Sequence, residues 1–519
     1  MNPIELEVFR TAFAFVAEEM GTALRRTAYS PNIKERMDAS CAFFDAEGRM
    51  VAQAEHIPVH LGSMPTAVEA ILNEFPGTLR RGDQIILNDP YHGGTHLPDV
   101  TLVRPVFFRD GIVGFTANRA HHADIGGSVP GSMPANATSL EEEGLVLEPQ
   151  KFLDRGRERR AVLDRLRRET LNPTERLGDL RAQRAANELG ARRFLELVEK
   201  HGVVRLRTAI DELQDYSERR VRAAIQSLPR GTWTAHEFME SADDGRIRLQ
   251  AEVTVGGSGF TVDFDGTDRQ VPGNLNAPFA VTLSATYYVV RCLTDPDAPA
   301  NAGAYRAVRV MASEGSLVRP RPPAAVAAGN VETSQRIVDL LFLALAVPLK
   351  DRVPAQSQGT MNNLTIGASG TRPFSYYETI AGGEGGLPFR DGTSGIHTHM
   401  TNTRNTPVEA LELAYPFRVE SYRLLPGTGG AGRHPGGDGV RRSIRFLAQR
   451  GTASILSERR ALPPKGLRGG RNGHPGRNSL VRGGRRRKLP AKIVLDLRQG
   501  DVLEIETPGG GGWGSPRPT

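Results

Sequence analysis

The sequence predicts an α+β protein in which helices and strands are largely segregated along the chain. Short strand-like runs and loops rich in Gly, Pro and His occupy residues 1–150, and apolar residues recur at helical spacing through 151–228. The remainder, 229–519, contains alternating or β-branched runs bounded by turn residues. Because strands and helices do not alternate regularly, a doubly wound parallel sheet is not expected. We predict an N-terminal α/β region, a helical middle segment and a β-rich C-terminal region with these boundaries.

The N-terminal region is predicted to begin with an amphipathic helix. The stretch "MNPIELEVFRTAFAFVAEEM" carries acidic residues among its apolar ones and lacks the basic, apolar and small-residue order of a secretory signal. No run of about 18 apolar residues occurs, so no membrane span is predicted and a cytoplasmic location is expected. Further along, "QIILND" and "GIVGFTANRA" have the composition of strands.

The middle and C-terminal regions differ in their periodicity. Helices are predicted for "LGDLRAQRAANELGARRFLELVEKHG" and "LRTAIDELQDYSERRVRAAIQSL", where apolar positions recur three and four residues apart. Strands are predicted for "RIRLQAEVTV", "FTVDFDGT", "ASILSE" and "KIVLDL". The glycine-rich stretches 382–395 and 427–439 are interpreted as tight turns or as backbone close to a substrate, and the tail "TPGGGGWGSPRPT" has the composition of a linker.

Composition excludes several classes of protein. The 519 residues, 39% hydrophobic and 24% charged, are typical of a globular chain with a large core. The net charge of +7 is concentrated in two arginine-rich stretches that contain no aromatic residue, which favours solvated helix faces and subunit contacts over nucleic-acid binding. Two cysteines, Cys41 and Cys292, are too few for a disulfide framework and are predicted to be buried thiols.

The stretch "DPYHGGTHLPD", residues 89–99, contains two histidines and two aspartates that could bind a metal or transfer protons. His92 and His96 are four residues apart, the spacing that places two imidazoles on one helix face in zinc proteases. Gly93 and Gly94 lie between them and Pro98 follows, so a helix is not expected. A loop is therefore predicted to hold these side chains.

Six of the 12 histidines fall within one stretch of fewer than seventy residues: His56, His60, His92, His96, His121 and His122. Carboxylates accompany them, with Glu35 and Asp38 upstream and Asp124 after the second strand-like segment. Two loops that each follow or precede a short strand can bring three or four ligands to one ion, leaving a position open for water or substrate. A hydrogen-bonded loop network is the alternative interpretation, and the pattern alone leaves both open.

Missing motifs narrow the chemistry further. No G-x-x-x-x-G-K-[ST] phosphate loop is present, and "GTGGAGRHPGGDG" lacks the lysine and hydroxyl that would hold phosphate and magnesium. No G-x-S-x-G elbow of a serine hydrolase is present either. The sequence therefore shows no site of its own for ATP and no serine nucleophile.

Several motifs together resemble the hydantoinase B/5-oxoprolinase family. They are "HIPVHLGSMP", "NDPYHGGTHLPDV", "HHADIGG", "GDLRAQRAAN", "DFDGTDRQVPGNLNAP" and "TPGGGGWG". The likeness runs in order from near residue 3 to near residue 516, so it covers the whole chain. It is specific for the family and not for a substrate.

The resemblance implies a metal site and its surroundings. One divalent ion, manganese or zinc, is expected, with four ligands: Glu35, His96, Asp99 and His121. Three further side chains are expected to orient these ligands or to shuttle protons: His92, His122 and Asp124. His60 is expected to face the substrate, with a purely structural role in a packed loop as the alternative.

The implied activity is ATP-dependent ring opening of a cyclic amide such as a hydantoin, 5-oxoproline or a lactam. ATP would be bound by a hydantoinase A-type partner subunit in a hetero-oligomer, and that subunit would phosphorylate the amide oxygen. Two alternatives stay open: a subunit of a ketone carboxylase of the acetone carboxylase type, and an assembly subunit without catalysis. Polar stretches 330–336, 358–363 and 394–407 either line a pocket or satisfy one another.

Overall fold

The computed structural model describes residues 1–54, 57–241, 245–257, 259–370 and 372–516. It confirms the α+β class. A 3-10 turn, Pro90–His92, and a π-helical segment, Gly329–Thr333, accompany the α-helices. The helices within the described ranges are α1 Pro3–Thr27, α2 Pro31–Lys34, α3 His60–Glu74, α4 Leu140–Glu143, α5 Arg160–Glu169, α6 Pro173–His201, α7 Val203–Gln226, α8 Phe279–Leu293, α9 Ala302–Tyr305, α10 Ser334–Leu345 and α11 Val408–Ala414.

The first sheet is built from the N-terminal region. Its strands are β1 Ala39–Asp45, β2 Met50–Ala54, β3 Gln84–Leu87, β4 Asp99–Phe108, β5 Gly111–His121, β6 Gln150–Asp154 and β7 Arg157–Glu158. Their order is β2-β1-β5-β4-β3-β6-β7, and every neighbouring pair is antiparallel. The long β4–β5 hairpin lies at the centre, where both of its faces are covered.

Three further sheets form the C-terminal region. The second sheet, in the order β11-β10-β9-β8, contains β8 Gly231–Glu240, β9 Arg246–Gly256, β10 Gly259–Asp263 and β11 Val308–Met311. The third, in the order β13-β12-β16-β19, contains β12 Asn363–Ala368, β13 Phe374–Glu378, β16 Arg450–Leu456 and β19 Lys492–Arg498. The fourth, in the order β14-β15-β20-β17-β18, contains β14 Phe417–Leu424, β15 Val440–Phe446, β17 Arg477–Arg482, β18 Arg485–Leu489 and β20 Val502–Glu506.

The helical middle segment packs directly on the first sheet. Phe13 of α1, Phe43 of β1 and Phe194 of α6 are buried in one apolar cluster, with ring centroids 5.5 and 5.2 Å apart along the series. Strands β6 and β7 extend the same sheet past residue 150. The segment predicted as 151–228 therefore contains the expected helices α5, α6 and α7, and it shares its core with the N-terminal region.

Glycine-rich segments of the C-terminal region pack backbone against backbone. Gly510 donates its N–H to the Gly437 carbonyl at 2.9 Å and accepts from Gly430 at 2.8 Å, and Gly511 accepts from Gly386 at 2.8 Å. A Cβ placed on Gly510 would lie 1.9 Å from the carbonyl oxygen of Glu384. The tail that has the composition of a linker is instead buried core, because only glycine permits this approach of several backbones.

The sequence predicts no membrane span and two buried cysteine thiols. Within the part of the chain that the structure describes, no helix has both the length and the apolarity needed to cross a bilayer. Cys41 is buried and free, and burial raises the pKa of its thiol to about 12. Cys292 is also free but exposed, so the prediction of a buried thiol is wrong there, because the residue faces a cavity rather than the core.

Candidate metal centre

Three predicted ligands meet at one end of the central hairpin. Asp99 is the first residue of β4 and His121 is the last of β5, and the two are direct cross-strand partners. His96 reaches the same point from the loop before β4, where the Asp99 N–H donates to the His96 carbonyl at 3.0 Å. Antiparallel pairing therefore brings together two loops that lie far apart in sequence.

The three side chains converge on a common point. Nε2 of His96 and Nδ1 of His121 are 3.2 Å apart, and Oδ1 of Asp99 lies 3.3 Å from the first and 3.2 Å from the second. All three are buried, with exposures of 1–2%. In the described part of the chain, this is the group whose donor atoms lie close enough together to hold a metal ion.

The spacing of these atoms fits a divalent ion. With metal–ligand bonds of about 2.1 Å, neighbouring ligands lie about 3.0 Å apart in an octahedral shell and about 3.4 Å apart in a tetrahedral one. The observed separations of 3.2–3.3 Å fall between these values. Imidazole and carboxylate together are the donor set of manganese and zinc sites. The residues present therefore fit one such ion, with coordination positions left open.

The charge of the group is also suited to a cation. Burial alone would raise the pKa of Asp99, but the neighbouring His96, His121 and His60 hold the pKa of that carboxyl well below its usual range. Burial lowers the pKa of His121, which favours its neutral form. An ionised carboxylate beside a neutral imidazole is the protonation state in which both side chains bind a metal.

His60 lies beside the group, next to Asp99 Oδ2, the carboxylate oxygen that does not face His96 and His121. It is the first residue of α3, its side chain is 1% exposed, and its Nε2 is 3.5 Å from Asp99 Oδ2. Nδ1 contacts the Ser40 hydroxyl at 2.8 Å, while Nε2 has no hydrogen-bond partner among the residues that the structure describes. A buried ring nitrogen without a hydrogen bond is available to a water or a ligand.

The third sheet covers the group with an aromatic side chain. The ring of Tyr377, on β13, stacks on His121 with centroids 4.3 Å apart, and its hydroxyl donates to Asn363 Oδ1 at 2.9 Å. The Arg36 guanidinium lies 4.6 Å from the Tyr377 centroid and donates to the Tyr377 carbonyl at 2.8 Å. The His121 ring therefore lies between the first sheet, to which it belongs, and the third sheet.

Arg119 links the elements that carry the group. It lies two residues before His121 on β5, and because side chains alternate along a strand it shares the His121 face. Its guanidinium donates to Thr101 on β4 at 2.8 Å, to the Gly93 carbonyl of the 89–99 loop at 2.9 Å and to the hydroxyl of Ser63 on α3. Burial lowers the pKa of Arg119 to about 10. One side chain thus ties together the loop, the helix and both strands.

Two predicted residues lie away from the three-residue group. Glu35 directly follows α2 and is half-buried, and its carboxylate is not within the group. His92 is 53% exposed, hydrogen-bonds to Asp89 Oδ2 at 2.7 Å and lines a surface pocket of about 410 Å³. Their roles as ligand and proton shuttle stay predictions. His56 lies outside the described residues.

His122 and Asp124 are buried but engaged elsewhere. His122 Nε2 contacts Gln183 Oε1 at 2.9 Å, and burial lowers the pKa of His122 to about 4. The Asp124 carboxylate accepts three backbone N–H groups, from Gly126 at 3.1 Å, Gly131 at 3.2 Å and Leu171 at 2.8 Å. These contacts anchor the loops beside the site, and no described contact joins either side chain to the three-residue group.

We expect Asp124→Ala to lower the free energy of unfolding by about 3 kcal/mol, because it leaves several buried N–H groups without an acceptor. Urea unfolding of the purified chain measures the change. His92→Ala is the control, since an exposed side chain should change stability by about 0.5 kcal/mol or less. Unchanged stability in Asp124→Ala, together with lost activity, would assign Asp124 to the chemistry instead.

Fold and site together define an α+β protein with a buried two-histidine, one-aspartate group suited to a divalent ion. The family model described as hydantoinase B/oxoprolinase matches residues 2–516. The chain belongs to this family, as its motifs indicate.

The relatives include one of similar length and others that are much longer. An uncharacterized protein of Methanocaldococcus jannaschii is 42% identical over 99% of this chain and 91% of its own length. The 5-oxoprolinase 1 of Arabidopsis thaliana is 40% identical over 99% of this chain but only 42% of its own length. The 5-oxoprolinase of Saccharomyces cerevisiae is 38% identical with the same coverage. The chain therefore spans about two fifths of the length of the 5-oxoprolinases that it matches.

Two solved structures share the whole architecture. The ATP-dependent caprolactamase from Pseudomonas jessenii superposes with a TM-score of 0.92 at 28% identity, covering 99% of this chain and 91% of the other. A nucleotide-free acetone carboxylase structure superposes with a TM-score of 0.90 at 18% identity, covering 99% and 76%. The second likeness concerns the fold alone.

Proposed function

We propose that this chain is the metal-bearing B subunit of an ATP-dependent cyclic amide hydrolase. The buried group of His96, Asp99 and His121 is the observation that carries the proposal. Support comes from relatives named 5-oxoprolinase and from the likeness to a caprolactamase, whose names indicate cyclic amide substrates. A ring amide resists hydrolysis because its nitrogen donates electrons into the carbonyl, so both an activated carbonyl and an activated water are needed.

The three-residue group would supply the hydrolytic half of the reaction. His96, Asp99 and His121 would hold a divalent ion, which would supply an activated water at neutral pH by lowering the pKa of that water from about 16 to about 7. Asp99 contributes the negative charge that retains the ion. Tyr377 and Arg119 fix the orientation of His121 and of the loop, and burial excludes bulk solvent from all three ligands.

His60 is the side chain best placed to handle a proton in this arrangement. Its Nε2 faces the Asp99 carboxylate and is buried without a hydrogen-bond partner among the described residues. The Ser40 hydroxyl at Nδ1 limits rotation of the ring. We assign His60 to protonation of the departing ring nitrogen because its Nε2 lies 3.5 Å from Asp99 Oδ2. The Asp124 carboxylate is less suited because it already accepts several N–H groups, and His122 is less suited because its Nε2 contacts Gln183 on α6.

ATP would be handled by a hydantoinase A-type partner. The sequence contains no phosphate-binding loop, and the caprolactamase neighbour is named as ATP-dependent. Phosphorylation of the amide oxygen on the partner makes the ring carbon electrophilic before water attacks it. This division of labour requires a hetero-oligomer, and the isolated chain should be close to inert.

Assay of the chain copurified with an A-type subunit tests the proposal. Phosphate release should require ATP, a divalent metal and a cyclic amide among hydantoin, N-methylhydantoin, 5-oxoproline and a simple lactam, and ring-opened acid should accumulate in step. Small ketones with bicarbonate form the second arm, which tests carboxylation.

Two results would contradict the assignment. Turnover restricted to ketones with bicarbonate would identify a carboxylase subunit. Tight ATP binding by the chain alone, measured by calorimetry in the absence of any other protein, would remove the need for an ATP-binding partner.

A further inference from the structure

A cavity of about 490 Å³ opens between the C-terminal helices and two loops. Tyr288 and Cys292 of α8 and Phe342 of α10 form one wall, and segments 384–389 and 396–402 form the other. Exposed apolar side chains, Phe389 and Ile396, are part of its lining. A volume of this size, with mixed aromatic and polar walls, is typical of small-molecule sites.

His397 supplies polar atoms in the cavity wall that have no protein partner. Both of its ring nitrogens are buried, and neither makes a hydrogen bond within the described part of the chain. Burial, helped by the charge of Arg36, lowers the pKa of His397 to about 4, so the ring is neutral near pH 7. A neutral imidazole offers one donor and one acceptor, and buried polar atoms of this kind normally have a ligand or water as partner.

Several other polar groups of the wall are already engaged. The hydroxyl of Tyr288 contacts His399 Nδ1 at 3.3 Å, and the Glu384 carboxylate is bound by the Arg390 guanidinium at 2.8 and 2.9 Å. These pairs shape the cavity without requiring an occupant. Within the described residues, the nitrogens of His397 and the neighbouring Thr398 hydroxyl are the buried polar atoms of the lining that a ligand could bind.

Two connections join the cavity to the metal group. Pro58 lines the cavity and lies two residues before His60 at the start of α3. On the other side, segment 396–402 continues to Arg404, whose N–H donates to the Arg36 carbonyl at 3.1 Å. Arg36 packs on Tyr377, which stacks on His121. Pro58 and segment 396–402 therefore connect the cavity lining to elements that hold the proposed reaction centre.

We propose that this cavity is the binding site for the cyclic amide and that His397 hydrogen-bonds to its amide edge. The proposal rests on the proposed function for the class of ligand. The ring carbons of the substrate contact Phe342 and the other apolar side chains of the cavity. The N–H or C=O of its amide forms a hydrogen bond with a ring nitrogen of His397. Segment 394–407, one of the polar stretches singled out in the sequence, then contributes to substrate binding.

Ligand-observed saturation-transfer NMR on the full chain, without ATP or partner, tests the site directly. The probes are 2-pyrrolidinone, hydantoin and 5-oxoproline. We expect at least one of them to bind, and His397→Leu, which keeps nearly the same side-chain volume but removes both nitrogens, to weaken binding about tenfold. Ile396→Trp, which narrows the cavity from a partly exposed position, should weaken it as well.

His236→Phe is the matched control, because His236 is exposed on β8 and does not line the cavity. It should bind the probes as the wild type does. No binding of any probe to the wild type, or unchanged binding in either cavity variant once thermal unfolding shows that it is folded, overturns the proposal. Binding that is lost in these variants while the A/B complex opens no ring contradicts only the proposed function.

Discussion

Replacement of Asp99 by asparagine should abolish metal retention while the chain stays folded. The change keeps the shape of the side chain but removes the buried negative charge that faces His96 and His121. Loss of an outer partner of a metal ligand already costs about 10–100-fold in affinity, so loss of a direct ligand should cost more than about 100-fold. Competitive chelation measures the affinity, and ATP-dependent turnover of the complex should fall in parallel.

Asp89→Asn provides the matched control within the same loop. Asp89 also pairs with a histidine, since its Oδ2 lies 2.7 Å from His92 Nδ1, but that pair faces the surface pocket. Metal affinity should be unchanged in this variant. Equal metal affinity in Asp99→Asn and the wild type would mean that the three-residue group is a hydrogen-bond network and that the ion, if bound, lies elsewhere.

Gly510→Ala should be severely destabilising, although it adds only one methyl group far from the metal. Its Cβ would lie 1.9 Å from the Glu384 carbonyl oxygen. Neither atom can rotate away, because the Cβ is fixed to the backbone of one packed segment and the oxygen belongs to the backbone of another. Overpacking of this kind costs about 3 kcal/mol or more. The urea midpoint of the purified chain measures the loss.

Gly273→Ala separates overpacking from a general effect of replacing glycine. A Cβ at Gly273 meets no atom within 4 Å, so this variant should unfold at the wild-type midpoint or slightly above it. Wild-type stability in Gly510→Ala would show that the glycine segments are loosely packed, contrary to their hydrogen bonds.

Much of the fold could be predicted because periodicity is a local property of sequence. The helices α1, α6 and α7 and the strands β3, β5, β9, β16 and β19 occur where the apolar spacing predicts them. The glycine segments could not be interpreted in this way. Their packing depends on hydrogen bonds between residues distant in sequence, from Gly386 to Gly511 and from Gly510 to Gly437. A glycine run alone is compatible with turns, linkers and close packing.

The residues of the candidate site also differ in whether a local sequence pattern indicates them. His96 lies in the loop before β4, Asp99 begins β4 and His121 ends β5. The local pattern indicates these residues as candidates, and the family resemblance implies them as a ligand set. Arg119 is not among the site residues predicted from the sequence, although its position two residues before His121 on a strand indicates that both side chains share a face of the sheet. Tyr377 carries no local signal, because only the packing of the third sheet brings its ring onto His121. His397 belongs to the polar stretch 394–407, but the sequence does not distinguish it from its neighbours.

Anomalous X-ray diffraction from crystals of the chain loaded with manganese or zinc tests the central claim most directly. The account predicts one strong anomalous peak within about 2.0–2.3 Å of His96 Nε2, His121 Nδ1 and Asp99 Oδ1 together. It also predicts that this peak disappears in Asp99→Asn crystals grown with the same metal. A peak bound by other residues, or none at these three atoms in protein that is active in the complex, would contradict it.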